Sequence, residues 1–261
     1  MGVKQAIIIG GGASILRTPK DELRERLNNR FVIACNTQYR FWPHTFGTWI
    51  DREPFYENEI IYNYDDFSSE KLWVCHYYTE LLESYWCAKK TSQIPSYPPN
   101  HIPLIPKLDE FDSTLQKGVW GNLCGIFATT LAGYLMNWEG EIFLLGFDDR
   151  VDPLTNKTHW FSNEDCGYNY KGIQKHIDGR LHEKFSNPNH ELHSKPWKPF
   201  VEEPALNKLK IWNVSPDSWI PVFDKIDYPE FLNKLEHTIY PQDQLRIMVR
   251  NKLKGIQCAM K

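Results

Sequence analysis

Several short apolar runs in this chain end in residue types that bind or react rather than pack. Ala6–Ile9 leads into Gly10, Gly11, Gly12, Ala13 and Ser14. Glycines let a backbone approach a phosphate, and a following helix N-terminus offers free N–H groups and a positive dipole. The spacing is neither GxGxxG nor that of a P-loop with its Lys, and a tight strand-to-helix turn would use the same residues. Phe31–Ala34 leads into Cys35, Asn36, Thr37 and Gln38. An Asn there can bond a base, a ribose or, as an Asx turn, its own loop. Asp51 follows the weaker run Thr48–Ile50, and Gly146, Phe147, Asp148, Asp149 and Arg150 follow Glu141–Leu145. Carboxylates at strand ends suit a metal ion, a ribose hydroxyl or an acceptor group. A single one can equally cap a helix.

The histidines gather late: His159, His176, His182, His190 and His193. His190 and His193 have a spacing that would suit a metal on a helix. No HExxH surrounds them, however, and NPNHELHSKP has the composition of a loop. General-base work by one histidine fits better, with most of the others on the solvated surface.

Positioning such residues requires strands whose ends converge. Leu209–Val214 and Leu72–Cys75 are further strand candidates. Lys20–Leu27 is a helical run behind Thr18-Pro19, an N-cap and first-turn pair. Asn122–Met136 is apolar almost all round and predicts a buried helix. Alternating strands and helices predict an α/β, Rossmann-like fold, its mostly parallel sheet flanked by helices. The proline-rich stretch 93–108 predicts an extended loop. Residues 151–204, with little periodicity, predict a lid-like insertion. The expected organisation is one domain over residues 1–243 and a basic tail over 244–261. In that tail Leu245, Met248, Val249 and Leu253 share one side, and docking on its own domain is the simplest use for it.

With 261 residues and a net charge of −3, the chain can bury a core but carries no overall basic field for nucleic acid. No apolar stretch approaches the roughly 20 residues that span a bilayer, and the N-terminus lacks the features of a signal peptide. Six cysteines without CxxC pairs fit reduced thiols in a cytoplasmic protein.

Read together, IIIGGGASI, VIACNTQYRFW and TWIDREPFYE resemble the opening of the bacterial sialyltransferases and related polysaccharide glycosyltransferases. GNLCGIFATTLAGYLMNWEGEIFLLGFDD is similar to their small-residue helix and the strand ending G-x-D. NHELHSK resembles their catalytic His-Ser loop, and KIWNVSPDSWIPVF their last strand. The blocks occur in order over most of the chain. Two departures stand out. Gly11 and Ala13 replace the Asn and Pro of G-N-G-P-S, and Asp149-Arg150 stands where tyrosines assist the leaving phosphate.

The resemblance implies a glycosyltransferase moving a sugar from a CMP- or UDP-linked donor to a glycan or other hydroxyl. Gly10, Gly12 and Ser14 would approach the phosphates. Asn36, Gln38, Gly121 and Asn122 would line the donor, with Asp148 beneath it. His193 would be the general base, with Ser194 beside it. Arg150 would neutralise the leaving phosphate, or Mg²⁺ on Asp51, Asp148 or Asp149 would do so; no cofactor is obligatory. The basic tail would touch an anionic membrane or nucleic acid, making the protein peripheral at a membrane, or support a homo-oligomer. The hydroxymethylpterin diphosphokinase-like (MptE-like) domain shares the first and fourth blocks, and implies instead ATP and Mg²⁺ chemistry. A non-catalytic nucleotide-binding protein is the third reading.

Overall fold

Every residue of strand β1 (Gln5–Ile9) is buried, because the strand is covered on both faces. Successive side chains alternate across a strand. Ala6 and Ile8 therefore enter one apolar cluster, and Ile7 and Ile9 another. The computed structural model describes residues 2–49, 73–77, 104–108, 110–115, 118–121, 123–159, 182–235, 237, 239–254 and 256. Asp51 and Asn122 lie outside these residues.

Among the described residues nine strands make one sheet. They are β1, β2 (Val32–Cys35), β3 (Phe46–Trp49), β4 (Trp73–Tyr77), β5 (Leu104–Leu108), β6 (Val119–Trp120), β7 (Gly140–Leu145), β8 (Leu209–Asn213) and β9 (Asp224–Lys225). Their spatial order is β6-β5-β4-β3-β2-β1-β7-β8-β9, and every adjacent pair is parallel. The α/β, Rossmann-like expectation is met.

Among the described residues the helices are α1 (Lys20–Leu27), α2 (Cys124–Leu135), α3 (His182–Ser186), α4 (Pro199–Glu202), α5 (Tyr228–Lys234) and α6 (Gln242–Leu253). α1 buries Leu23 and Leu27 on one face of the sheet, joined by Phe231 of α5. α2 and α6 cover the other face, where α2 is buried along almost its whole length.

Three local readings need correction. Thr18 does not cap α1. Its hydroxyl donates to the Ile15 carbonyl at 2.6 Å, closing a 3-10 turn over Ala13–Arg17. Pro19 takes the N-cap place with no side-chain bond, while Asp21 and Glu22 favour the helix N-terminus through its dipole. The end of the proline-rich stretch is not loop but β5. Pro106 pairs with β4, while β6 begins its pairing at Lys107, so the missing N–H falls outside the two-residue β6 ladder. The tail helix starts at Gln242, and its Leu245, Val249 and Leu253 belong to the main core. Arg246 donates to the Thr45 carbonyl and Lys252 to the Leu135 carbonyl, so two of the tail's cations cap neighbouring backbone.

Candidate functional site

The chain leaves β1 toward β2 on one side and leaves β7 toward β8 on the other, so β1 and β7 form the topological switch point of the sheet. In open parallel sheets a crevice opens there, beyond the carboxyl ends. The glycine loop after β1 and the segment Gly146–Arg150 after β7 meet at this point.

They meet tightly. Gly10 N–H donates to Leu145 O and Gly12 N–H to Gly146 O, each at 2.8 Å. Ser14 N–H donates to Asp148 Oδ2 at 2.7 Å, and the Ser14 hydroxyl donates to Asp148 Oδ1. A methyl group on Gly12 would lie 2.6 Å from Asp148 Oδ2, and one on Gly10 would lie 2.7 Å from Gly146 O. Close approach of the β7 end therefore requires both glycines. The amides of Gly10, Gly12 and Ser14 are committed to the β7 end. Asp148, an anion in the ionised form, already occupies the place where these residues would have met a phosphate. Burial pushes the Asp148 carboxyl above its ordinary value of 3.8, against the opposing pull of Ser14.

Three consecutive residues then brace three different segments. Asp148 holds the β1 loop. Asp149, with a left-handed φ of 53°, turns the other way. Its Oδ1 accepts from Lys184 Nζ at 2.6 Å and its Oδ2 faces His193 Nδ1 at 3.3 Å. Burial raises the Asp149 pKa, but His193 and Lys184 outweigh it and hold the group below its ordinary range. Arg150 donates to the carbonyls of Val151 and Asp217 and lies over the Trp219 ring. It thus braces the turn after β8. Arg17 adds a further tie, bridging Asp152 at 2.5 Å and Asp217 at 2.6 Å.

His193 is 2% exposed. Its Nε2 faces the carbonyls of Lys184 and Asn187, each at 3.0 Å, so both ring nitrogens have protein partners. In this arrangement neither is turned to an acceptor hydroxyl. Ser194 makes only a local bond, to the Glu191 carbonyl. Gln38 is buried, and its side-chain oxygen accepts from the Trp42 indole. Asn36 stands half-buried at the end of β2, with a left-handed φ of 52°. Among the described residues no group of three His, Cys, Asp or Glu side chains is placed to hold a metal.

The start of α2 lies at the same edge. Gly121, at φ 143°, lets the chain turn from β6 into the helix, where a methyl group would meet the Phe127 backbone nitrogen at 2.8 Å. The helix N-cap is Leu123, which supplies no side-chain acceptor, and no acidic residue stands in the first turn. The first N–H groups of a helix have no partners within it, and the Leu123 side chain supplies none. Cys124, the first helical residue, donates its thiol to the Thr48 carbonyl at 3.3 Å, which places the end of β3 beside this helix end. Thr48 shares the α2 face of the sheet with Phe46. Its hydroxyl is fully buried and has no hydrogen-bond partner.

Phe147 links the two halves of the edge. Its ring, half-buried, packs on Gly10 and on Gly125 of α2. Thr48 and Lys184 escape a reading of the sequence, because nothing in their neighbours marks them. Leu123 could have been suspected, as a capping position without a capping residue.

No described helix is long and apolar enough to cross a membrane. Comparison of the chain with protein-family models, curated proteins and solved structures finds no match.

Proposed function

We propose that this protein transfers a sugar from a nucleotide-sugar donor to an acceptor hydroxyl, and that the donor's phosphate meets the start of α2 rather than the glycine loop. One observation carries this reading. The N-terminus of a 12-residue helix, whose N-cap Leu123 offers no side-chain acceptor, stands at the carboxyl edge beside the buried Thr48 hydroxyl, which has no hydrogen-bond partner. The dipole at a helix N-terminus favours an anion, and it stabilises charge that grows on a departing phosphate. Leaving the Thr48 hydroxyl buried and unpaired costs about 1–3 kcal/mol, a cost a bound ligand would remove.

The neighbouring residues fit the same ligand. Asn36 offers an amide to a base or ribose, and Phe147 an apolar ring face. The glycine loop and Asp148 form the wall of the site and hold β1 against β7. His193 would take the acceptor proton only after its present partners are released. Asp51 and Asn122 are kept as donor-side or metal residues in this proposal. The donor is CMP- or UDP-linked, and Mg²⁺ is an optional partner of the leaving group.

The test is thermal stabilisation of the wild-type protein and Thr48→Val by nucleotides and nucleotide sugars. At a hundredfold excess over Kd, binding stabilises by about 2.7 kcal/mol. The expected result is a shift with one nucleotide sugar that is smaller in Thr48→Val, together with release of the free nucleotide on adding an acceptor. Equal shifts in both proteins would remove Thr48 from the site. No shift over the whole panel would overturn the reading, and ATP-dependent release of AMP would replace it with diphosphokinase chemistry.

A further inference from the structure

Residues 184–195 contain two buried side chains, and neither is apolar: Lys184 and His193. Both bond to the same carboxylate, Asp149, at the end of β7. Phe185 and Leu192 are only half-buried, and Ser186–Asn189 are exposed. The picture changes a few residues later. Trp197 and Phe200 are 2% and 4% exposed and pack among Phe111, Trp120, Phe147 and Phe223. Among the described residues the chain is thus fastened mainly by apolar burial from Trp197 onward, and before it by bonds to Asp149 and one ring contact, His193 on Trp219.

Within itself the stretch is well connected. Asn187 N–H donates to Lys184 O, His190 N–H to Asn187 O, and His193 N–H to His190 O. His193 Nε2 closes the loop onto the carbonyls of Lys184 and Asn187. The stretch holds its shape by these bonds; among the described residues its place is held by the Asp149 carboxylate and by the His193 ring, packed edge-on against Trp219 at 5.5 Å.

We propose that residues 184–193 form a strap latched by Asp149, which lifts from the end of β7 as a unit while the sheet stays folded. Local openings of this kind occur where few apolar contacts hold a segment. A buried ion pair contributes little net stability, but losing one partner leaves the other buried and uncompensated, so neutralising Asp149 frees the strap. Opening would release both nitrogens of His193 and the Asp149 carboxylate beside Asp148. The latch rests on geometry alone; only its use, freeing His193 for an acceptor, rests on the transfer reading.

The test is native-state hydrogen exchange, followed by mass spectrometry, on the full chain and on Asp149→Asn and Lys184→Met. Asn tolerates the left-handed φ of position 149, so the first variant removes charge and keeps the backbone. The expected result in both variants is exchange at least about tenfold faster over residues 187–194. Exchange in β1, β7 and α2 should stay unchanged. Unaltered exchange over 187–194 would overturn the latch. So would an equal rise throughout the chain, which would make Asp149 part of the global core. No nucleotide is present in this experiment, so its failure is separate from failure of the transfer reading.

Discussion

Asp148 and Ser14, 134 positions apart, are joined twice: Asp148 accepts the Ser14 N–H at 2.7 Å and also the Ser14 hydroxyl. This double bond pattern makes the carboxyl the cap of the 3-10 turn after β1. It seals the strand end where the sequence pattern predicts a phosphate against the glycines.

Gly12→Ala tests the seal. The added methyl would sit 2.6 Å from Asp148 Oδ2 and 2.7 Å from Gly146 O, with backbone on one side and a fixed carboxyl on the other. Overpacking of this kind costs about 1–3 kcal/mol. For a chain of this size the melting temperature should fall by roughly 2–4 °C per kcal/mol, measured by calorimetry.

The adjacent carboxyls Asp148 and Asp149 should respond to pH with opposite signs. Asp149 has a folded pKa below the unfolded one. Its contribution is complete above the unfolded value and is lost as pH falls through the folded one. Asp148 has a folded pKa above the unfolded one. The fold then keeps a proton that the unfolded chain has released, so this contribution is present at low pH and lost as pH rises through the folded pKa. Urea unfolding from about pH 3 to 8 separates them. The stability gap between wild type and Asp149→Asn should shrink toward acid, and the gap to Asp148→Asn should shrink as pH rises.

Helix α6 should prove part of the fold. Its Leu245, Val249 and Leu253 are 0%, 0% and 3% exposed. Leu245→Ala should cost about 2–5 kcal/mol, read as a lower urea midpoint with an unchanged slope. Truncation after Gln242 should give a chain that does not unfold cooperatively. A truncated chain with the wild-type midpoint would make the helix a dispensable appendage.

His193→Ala tests the proposed base. Loss of a general base lowers turnover roughly 10²–10⁴-fold, while nucleotide-induced stabilisation should persist, because the start of α2 is untouched. Turnover near wild type with a natural donor would rule the imidazole out as the base.

What the sequence determined by itself is local. The apolar runs of β1, β2 and β7 are continuous because both faces of a parallel sheet are covered, and that run length marks a strand without any tertiary knowledge. α1 was legible to its ends, Lys20 and Leu27, from charge pattern and the preceding proline. That the polar residues after β1 and β7 share the carboxyl edge of the sheet followed from the alternation of strands and helices. The tertiary structure decided the rest. Whether glycines face a ligand or a neighbouring strand depends on what stands opposite, and here it is Gly146 and Asp148, more than 130 residues away. Gln38, polar in type, is buried against Trp42, while Lys184 and His193 are buried by a carboxylate. Thr48 is left without a partner by the packing of α2. A residue's type sets what bonds it can make, but burial and pairing belong to contacts between distant segments. Only the assembled sheet brings those segments within hydrogen-bonding distance.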